Sequence, residues 1–526
     1  MTDYWKNRFI KSTKDVFDSD EEYVKEIFKI YENTIEDLDS EIFKLLNSME
    51  DVSMAEAKKL LNKYEIRSFK LGLDEFRKAS KGFISPDIEQ ELDIVSRRVR
   101  ISRLQAMQVS MKSKVATLLN QEQKKLFAHL SNKFTSSYYK DLYELQRITG
   151  YKNINSLSKD FVNNILSTSW TNDGENFSDR IWKRKDKLLN TLDTELRQGL
   201  ITGKKPDEIT KVISNKLEVS KSNAKRLVLT ESSAIHSQSR KAMYERMGVE
   251  KYEVVATLDL RTSDICRKLD GKVFDVKDYE RGVTAPPFHV YCRSTTVPYY
   301  NDDIQAEIEN TRMARDPDTG KSLKVEDLTY KEWYNKYVKD NPEAIFREKT
   351  WKNKNADKKQ FSRYRNVLGK DLKNNFKDFQ ETKYKDEDKY RLIRIDYKRR
   401  KKLIDNPNLL LPNVDKAYID NRKFTEYLFD GKNEDGLNKG RLIEKKLGYN
   451  LNNYLKFKKE ILNRAIIYPG HIKGKTYKGT RYEQKIFMYD KDKKPVNLIV
   501  GWYVEDNNTK MTTIYIKEVS KSEIGN

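Results

Sequence analysis

Apolar residues recur at every third or fourth position through much of residues 1–240, which predicts long amphipathic helices. One helix is expected to begin at Ser85, an N-cap candidate, with Pro86 in its first turn. Its apolar stripe continues through Leu92, Val95, Val99, Leu104, Met107, Met111, Val115 and Leu118. Further helices are predicted over 178–198, from Pro206 onward, and after Ser220 as a second N-cap. Residues 1–240 are therefore predicted to form a helical region.

The pattern changes after Gly248. Residues 252–258 have the composition of a strand, and turn sequences follow at 270–271 and 285–287. A small β-rich module is therefore predicted over 241–300. Residues 301–404 return to charged, aromatic, helix-forming sequence and contain the basic run 398–402, so we expect a charged helical extension or linker there.

Residues 405–526 have the pattern of a separate domain. Helical pieces are predicted over 416–429 and 441–447, with Gly448 just after the end of the second. Three strand-like runs follow at 482–489, 496–503 and 511–516, and their short charged connections indicate an antiparallel meander. The fold class predicted for the whole chain is multidomain α+β.

Charge narrows the possible partners. The chain has 526 residues with 103 Lys and Arg against 81 Asp and Glu, a formal net charge of +22. Such a balance favours nucleic acid or an anionic membrane surface as partner, although an AT-biased genome would also enrich Lys. The sequence shows no secretory signal and no apolar run of the roughly 18 residues that span a bilayer. Two cysteines are too few for a disulfide-framed secreted fold.

Both cysteines, Cys266 and Cys292, lie in the central block near His289. Two residues separate His289 from Cys292, a spacing that suits two ligands of one metal, with Cys266 as a third. A structural zinc site needs a fourth ligand, for which Asp270 and Asp259 are candidates. The alternatives are a reduced pair packed as small apolar side chains, a disulfide formed outside the cell, or a Cys–His nucleophile pair.

The other residues of the block have scaffolding explanations. Asp259 and Arg261 are expected to form an ion pair that fixes the loop, and Asp270-Gly271 is expected to form a turn. Pro286-Pro287 predicts an extended approach to the histidine. The complete set of scaffolding candidates is Asp259, Arg261, Thr262, Asp270, Gly271, Pro286, Pro287 and Arg293. The block is therefore expected to be a structural module rather than an active site.

The string Leu-Asp-x-Arg-Thr, then Cys, Asp-Gly and Pro-Pro-x-His-x-x-Cys-Arg-Ser resembles the Mu F-like minor capsid proteins of tailed phages. The resemblance extends to 4–8, 177–182, 229–232, 312–321 and 330–334, although Leu229 replaces a commoner Arg. It implies a protein of few copies inside the virion head, made in the host cytoplasm, which helps head assembly and DNA packaging or ejection. The implied partners are the portal protein, double-stranded DNA bound without base readout, and scaffold or capsid proteins.

Residues 405–526 also resemble, in composition more than in motif, the barnase, EndoU, colicin and RelE-like ribonucleases. That resemblance implies metal-independent RNA cleavage by a capsid-carried toxin, with His471 as acid or base. Lys416 or Lys439 would bind phosphate, and Thr512 or Thr513 would hydrogen-bond it. In the alternative, this region is a docking or DNA-binding module without catalysis. A membrane-active protein ranks last, because no segment opposes a large apolar face to a lysine-rich one.

Overall fold

A computed structural model describes residues 3–79, 86–98, 100–150, 156–300, 311–372, 375–490, 495–505, 507–517 and 519. The chain divides into two compact units, residues 1–340 and 341–526. The predicted multidomain α+β class is confirmed, because long helices precede several small antiparallel sheets. Among the described helices, none combines the length and the apolar character that a bilayer span requires.

The first unit consists mainly of helices. They are α1 (Asp3–Asn47), α2 (Met54–Lys58), α3 (Lys63–Ala79), α4 (Pro86–Arg97), α5 (Arg103–Thr149), α6 (Lys159–Ser167), α7 (Phe177–Ile201) and α8 (Pro206–Met247). Helices α1, α5, α7 and α8 pack around one apolar core. The predicted continuous stripe is divided between two helices: Leu104, Met107, Met111, Val115 and Leu118 of α5 lie in this core, whereas Leu92 and Val95 of α4 lie in a separate one. Ser85 and Val99 lie outside the described residues.

Side-chain caps set the ends of these helices. A capping box of Ser102 and Gln105 starts α5, and a second one, of Asn176 and Asp179, starts α7. Gly150 ends α5 with a positive φ of 68°, a conformation that glycine adopts without a Cβ penalty.

Helix α8 is continuous, so the predicted interruption with Ser220 as an N-cap is wrong. Ser220 is 2% exposed, and its hydroxyl lies 3.3 Å from the hydroxyl of Tyr31 on α1. A partner on another helix thus satisfies the side chain that the local pattern assigned to a cap. The C-terminal part of α8 contacts the next module: Ser237 bonds to Tyr279, and Arg240 donates to the Thr296 carbonyl.

That module is a three-stranded antiparallel sheet, ordered β2-β1-β3, with a short helix α9 (Asp264–Leu269). Its strands are β1 (Lys251–Val255), β2 (Val273–Asp275) and β3 (Thr295–Tyr299). A hairpin of β4 (Thr311–Arg315) and β5 (Ser322–Glu326) follows, and then α10 (Tyr330–Tyr337). The prediction of a helical extension is therefore wrong for 311–326, which pair as strands.

The second unit begins with four helices: α11 (Pro342–Lys352), α12 (Lys354–Leu368), α13 (Phe376–Lys385) and α14 (Glu387–Asp405). Two more helices follow, α15 (Glu434–Leu447) and α16 (Tyr454–Ala465). Then comes a four-stranded meander of β6 (Gly470–Lys475), β7 (Thr480–Tyr489), β8 (Pro495–Glu505) and β9 (Asn508–Lys517), in that order. The three predicted strands and their antiparallel order are confirmed, whereas β6 was not predicted.

Two other expectations differ from the structure of this unit. The helical pieces predicted over 416–429 are confirmed only in part: a single π-helical turn (Phe424–Leu428) lies in this range, and a 3-10 turn (Val414–Lys416) ends where the range begins. The division between the units falls after Asp340, inside the predicted extension 301–404, rather than at 404. Gly448 does follow the end of α15 with a φ of 76°, as the sequence indicates.

Candidate functional sites

The three predicted metal ligands converge in the central module. Ser263 caps α9 by accepting a hydrogen bond from the Cys266 backbone N–H, which fixes Cys266 in the first turn. The turn before β3 carries His289 and Cys292, and the Cys292 N–H donates to the His289 carbonyl at 3.1 Å. The ligand atoms of these three residues all lie within 4.8 Å of one another.

The separations fit one tetrahedral zinc ion. Cys266 Sγ lies 3.7 Å from Cys292 Sγ and 3.2 Å from His289 Nε2. Tetrahedral bonds of about 2.3 Å to sulfur and about 2.0 Å to nitrogen would place these pairs about 3.8 and about 3.5 Å apart. His289 Nδ1 lies 2.7 Å from the Val290 carbonyl, an arrangement that directs Nε2 toward the sulfurs. The three residues therefore suit zinc, which would cross-link α9 to the turn before β3.

Neither candidate for a fourth ligand is available. Asp259 accepts two hydrogen bonds from Arg293, at 2.5 and 2.9 Å. Asp270 accepts from Arg312 at 2.6 and 2.9 Å and from the backbone N–H groups of Ala256 and Tyr330. Both carboxylates are thus committed to arginines. Among the described residues, His/Cys/Asp/Glu groups within reach of one metal ion are limited to these three ligands.

Electrostatics distinguishes the two thiols. The hydrogen bond from Cys266 lowers the pKa of Cys292 to about 6, against the opposing effect of burial, with help from the backbone of Phe288 and Ser294. The pKa of Cys266 is raised by its hydrogen bond with Cys292 and by burial. The hydrogen bond with Cys266 raises the pKa of His289, while burial opposes that shift. Burial resists ionisation of Asp259, but Arg293 outweighs it and lowers the pKa of that carboxyl.

The remaining block residues hold the loops. Arg261 lies 3.7 Å from Asp259 and is 56% exposed, so the predicted Asp259–Arg261 pair is secondary to the pair with Arg293. The Thr262 hydroxyl donates to the Thr257 carbonyl at 2.5 Å. Gly271 adopts a φ of 77°, in agreement with the predicted turn. Where an extended approach was predicted, the Pro286–Pro287 peptide bond is cis.

Two buried arginines were not identified from the sequence. Arg240 of α8 is 1% exposed and donates to Asp141 on α5 and to the backbone of Thr296 on β3. Arg312 of β4 is 2% exposed and binds Asp270 and the Leu328 carbonyl. Each joins elements that are distant along the chain, and nothing in the local pattern separates such an arginine from a solvated one.

In the second unit, the structure separates the predicted catalytic residues. His471 on β6 pairs with Glu483, Glu483 with Gly501, and Gly501 with Thr513 on β9. His471 and Thr513 therefore lie at opposite edges of the sheet, about 14 Å apart across three strand spacings. Burial, with Lys402 and Lys485 nearby, lowers the pKa of His471, so the ring is neutral near pH 7. These two residues cannot contact the same phosphate group.

Lys439 and Thr512, by contrast, are linked by two residues that were not predicted. Lys439 Nζ lies 3.2 Å from the Tyr427 hydroxyl, and Lys423 Nζ lies 5.6 Å from the centre of the Tyr427 ring. Lys423 Nζ also donates to the Thr512 carbonyl at 3.0 Å. Lys416 ends the 3-10 turn beside β9 and is exposed. Because Tyr427 belongs to a π-helical turn, its position cannot be derived from helical periodicity.

Comparison with known proteins gives two family matches. Residues 190–297 match the family described as Phage Mu protein F like protein, and residues 410–518 match a domain of unknown function, DUF6883. A 199-residue stretch is 27% identical to the NAD(+)--arginine ADP-ribosyltransferase EFV of Enterococcus faecalis (strain ATCC 700802 / V583). It covers 35% of this chain and 39% of that protein, so the chain spans about two-fifths of this curated relative. No solved structure shows a significant match.

The predicted Mu F-like resemblance is thus confirmed, and the match supports a role in the bacteriophage head. The matched region is larger than the predicted module, because it includes all of α8 and the end of α7. The resemblance of the C-terminal residues to ribonucleases is not confirmed and stays a prediction.

Proposed function

Because residues 190–297 match the phage Mu protein F like family, we propose that the protein is a minor capsid protein of a tailed bacteriophage. It would lie inside the head at the portal and assist head assembly and the packaging or ejection of DNA. The family match is the observation that carries this proposal. The interior of the matched region supports it, since the charged side chains there serve to hold elements together, as Arg240 does.

Non-specific DNA contact is the second part of the proposal, and the distribution of charge supports it. Residues 341–526 contain 44 Lys and Arg against 26 Asp and Glu, so 18 of the 22 net positive charges belong to the second unit. Residues 1–340 carry only the remaining 4. We therefore assign head attachment to the first unit and phosphate contact to the second.

The location of the protein in the phage particle tests the proposed position inside the head at the portal. Purified DNA-filled heads would be treated with a lysine-reactive cross-linker, and the cross-linked peptides identified by mass spectrometry. We expect cross-links between residues 1–340 and the portal protein, and ultraviolet cross-links between residues 341–526 and DNA. Absence of the protein from purified heads, or cross-links only to the outer capsid surface, would contradict a portal location.

A structural zinc ion is the third part, supported by the fit of Cys266, His289 and Cys292. When bound, the ion would stabilise the module rather than take part in turnover. Inductively coupled plasma mass spectrometry of the reduced full chain should find one zinc per chain. Finding none in protein refolded with zinc would remove this part of the proposal and favour two buried reduced thiols.

The alternative is a capsid-carried toxin with a metal-independent ribonuclease in the second unit. One observation favours it: 410–518 match a family separate from the Mu F-like region, so a distinct module follows. The partly matching relative is named as an enzyme, although of a different activity. Of the predicted residues, Lys439 contacts Tyr427, and Thr512 accepts from Lys423 at the β9 edge of the sheet. A phosphate bound there could not reach His471 on β6, at the opposite edge.

An RNA cleavage assay separates the two functions. The full chain would be incubated with labelled RNA in EDTA, beside Tyr427→Phe and His471→Ala variants. Cleavage that survives in His471→Ala but is lost in Tyr427→Phe would support an enzyme centred on Tyr427. Intact RNA with folded wild-type protein would eliminate the ribonuclease and leave the head function standing.

A further inference from the structure

Two lysines flank one tyrosine at the outer edge of β9. Lys423, Tyr427, Lys439 and Thr512 are named here the β9-edge cluster. Lys439 Nζ lies 3.2 Å from the tyrosine hydroxyl and 5.7 Å from the ring centre, and Lys423 Nζ lies 5.6 Å from the same centre. Among the described residues, no carboxylate forms an ion pair with either lysine, although Asp420 nearby is paired with Arg422. Two positive charges therefore meet at a phenol without a counter-charge.

Three departures from regular geometry produce this arrangement. Tyr427 lies in a single π-helical turn, a feature common at functional sites. Helix α15 packs so closely on that turn that a Cβ at Gly436 would lie 2.2 Å from the Tyr427 carbonyl oxygen, and one at Gly440 would lie 1.8 Å from that of Leu428. The register of β9 also shifts beside Gly501, which leaves Thr512 as the extra residue of a β-bulge.

These irregularities have local costs. A π-turn weakens helical hydrogen bonding, glycine lowers helix stability, and a bulge interrupts the ladder. Natural proteins tend to break such local rules at functional sites. Here all three converge on the same few side chains, and the result is one ammonium group beside the Tyr427 hydroxyl and a second beside its ring.

The hydrogen-bond chemistry of the cluster indicates the class of ligand. The Tyr427 oxygen accepts a hydrogen bond from Lys439, so its own O–H is left to donate. No acceptor for that proton is present in the part of the chain that the structure describes. Apart from the Thr512 carbonyl, which already accepts from Lys423, the cluster offers donors and positive charge, which a tetrahedral phosphate with several acceptor oxygens would satisfy.

We propose that Lys423, Tyr427 and Lys439 form a phosphate-binding site in the second unit. The two ammonium groups bind the phosphate oxygens, and the tyrosine hydroxyl donates to one of them. The backbone of a nucleic acid strand or a free phosphate can supply this group. The nucleic-acid source rests on the DNA contact proposed above, whereas the site itself does not.

Titration with two ligands distinguishes a nucleic acid strand from a free phosphate as the source of the bound group. The full chain would be titrated with a fluorescein-labelled 20-base-pair duplex by anisotropy between 0.05 and 0.3 M NaCl, and with inorganic phosphate by 31P NMR. The test variant is Lys423→Gln with Lys439→Gln. The matched control is Lys445→Gln with Lys446→Gln, which removes the same charge from exposed positions on α15. Circular dichroism and thermal melting confirm that each variant is folded.

We expect the test variant to reduce the slope of log K against log salt by about 1.8, because two lysine–phosphate ion pairs are lost. Duplex binding at 0.1 M salt should weaken on the order of 50-fold, and more than for the control variant. Tyr427→Phe should weaken binding several-fold with an unchanged salt slope, since it removes a donor and no charge. Lys439→Arg should retain the slope.

Three other results would each contradict the phosphate site, the proposed DNA contact or both. If both double variants weaken duplex binding equally, the site is wrong and DNA contact lies elsewhere. If wild type ignores the duplex but binds phosphate through these lysines, the site stands with a free phosphate as its ligand, and the proposed DNA contact fails. If wild type binds neither, both proposals fail.

Discussion

Replacement of Arg312 by alanine should destabilise the first unit more than any other single arginine change on its hairpin. Arg312 is 2% exposed, and its guanidinium binds both oxygens of Asp270, the Leu328 carbonyl at 2.8 Å and the Ala256 carbonyl. Asp270 is itself 9% exposed. Removing the arginine would therefore leave a buried carboxylate with only the N–H groups of Ala256 and Tyr330.

The size of the effect follows from that unpaired charge. Breaking a buried ion pair by removing one partner costs about 3–5 kcal/mol, more than deleting a surface arginine, which usually changes stability by less than about 0.5 kcal/mol. In a unit of this length, the loss should lower Tm by at least about 5 °C. Differential scanning calorimetry of the full chain measures the shift, and hydrogen exchange should show the largest loss of protection in β1, β4 and the 270–272 turn.

Matched variants isolate the mechanism. Arg315→Ala removes an arginine from the same strand, where the side chain only donates to the Gly320 carbonyl at 3.3 Å, and should be nearly neutral. Arg312→Leu combined with Asp270→Asn should recover part of the loss, because no unpaired charge remains buried. If Arg312→Ala changes stability by less than about 1 kcal/mol, or if the double variant is worse than the single one, the reasoning is refuted.

Three further predictions concern the other buried groups. Cys292→Ser should abolish bound zinc, and EDTA should then lower the Tm of wild type but not of the variant; equal metal content would contradict the site. Burial, with Arg240 and Lys133 close by, holds the pKa of His236 well below 6.5. As the pH drops below 6.5, only the unfolded chain takes up the proton, so the free energy of unfolding should fall by up to about 1.4 kcal/mol per pH unit. Urea unfolding at pH 7.5 and 5.5 checks this, and a His236→Gln variant with an undiminished pH dependence would oppose it. Gly440→Ala should destabilise the second unit by more than about 2 kcal/mol, because its Cβ would overlap the Leu428 carbonyl oxygen. The control Gly72→Ala, with nothing within 4 Å of its Cβ, should stabilise α3 by about 0.5–1 kcal/mol. Comparable melting shifts for the two variants would show that the close approach at Gly440 does not determine stability.

The elements that sequence periodicity predicted well are those whose own burial determines them. The α5 stripe from Leu104 to Leu118 is buried as its spacing requires, and the short connections between β7, β8 and β9 go with the antiparallel order that was predicted from them. The prediction of an N-cap at Ser220 was wrong because a cap stabilises a helix by about 1 kcal/mol, less than the packing of a long helix against α1. The π-turn could not be predicted, because its geometry depends on glycines that follow it in α15.

The candidate sites also contain parts that the sequence could predict and parts that it could not. Cys266, His289 and Cys292 lie within one short block, so their convergence was a reasonable local prediction, and the structure brings them together. The fourth ligand could not be predicted from the local sequence, because Asp259 and Asp270 bind arginines that are 34 and 42 positions away. A carboxylate near a metal ligand in sequence is available only when no distant cation holds it, and distant pairs are not visible in one sequence.

The distribution of charge changes what the basic composition means for function. In the first unit, several buried cations are paired inside the fold: Arg184 binds Glu122, Arg240 binds Asp141 and Arg312 binds Asp270. A helical region whose charges satisfy one another has little field left to attract a polyanion, whatever its length. Even the run 398–402 is partly committed, since Arg400 is buried against two carboxylates. What remains for phosphate are cations such as Lys423 and Lys439, for which the described residues offer no carboxylate. The polyanion contact that the composition suggests for the whole chain should therefore be sought in residues 341–526, and the Mu F-like region should be tested for protein partners instead.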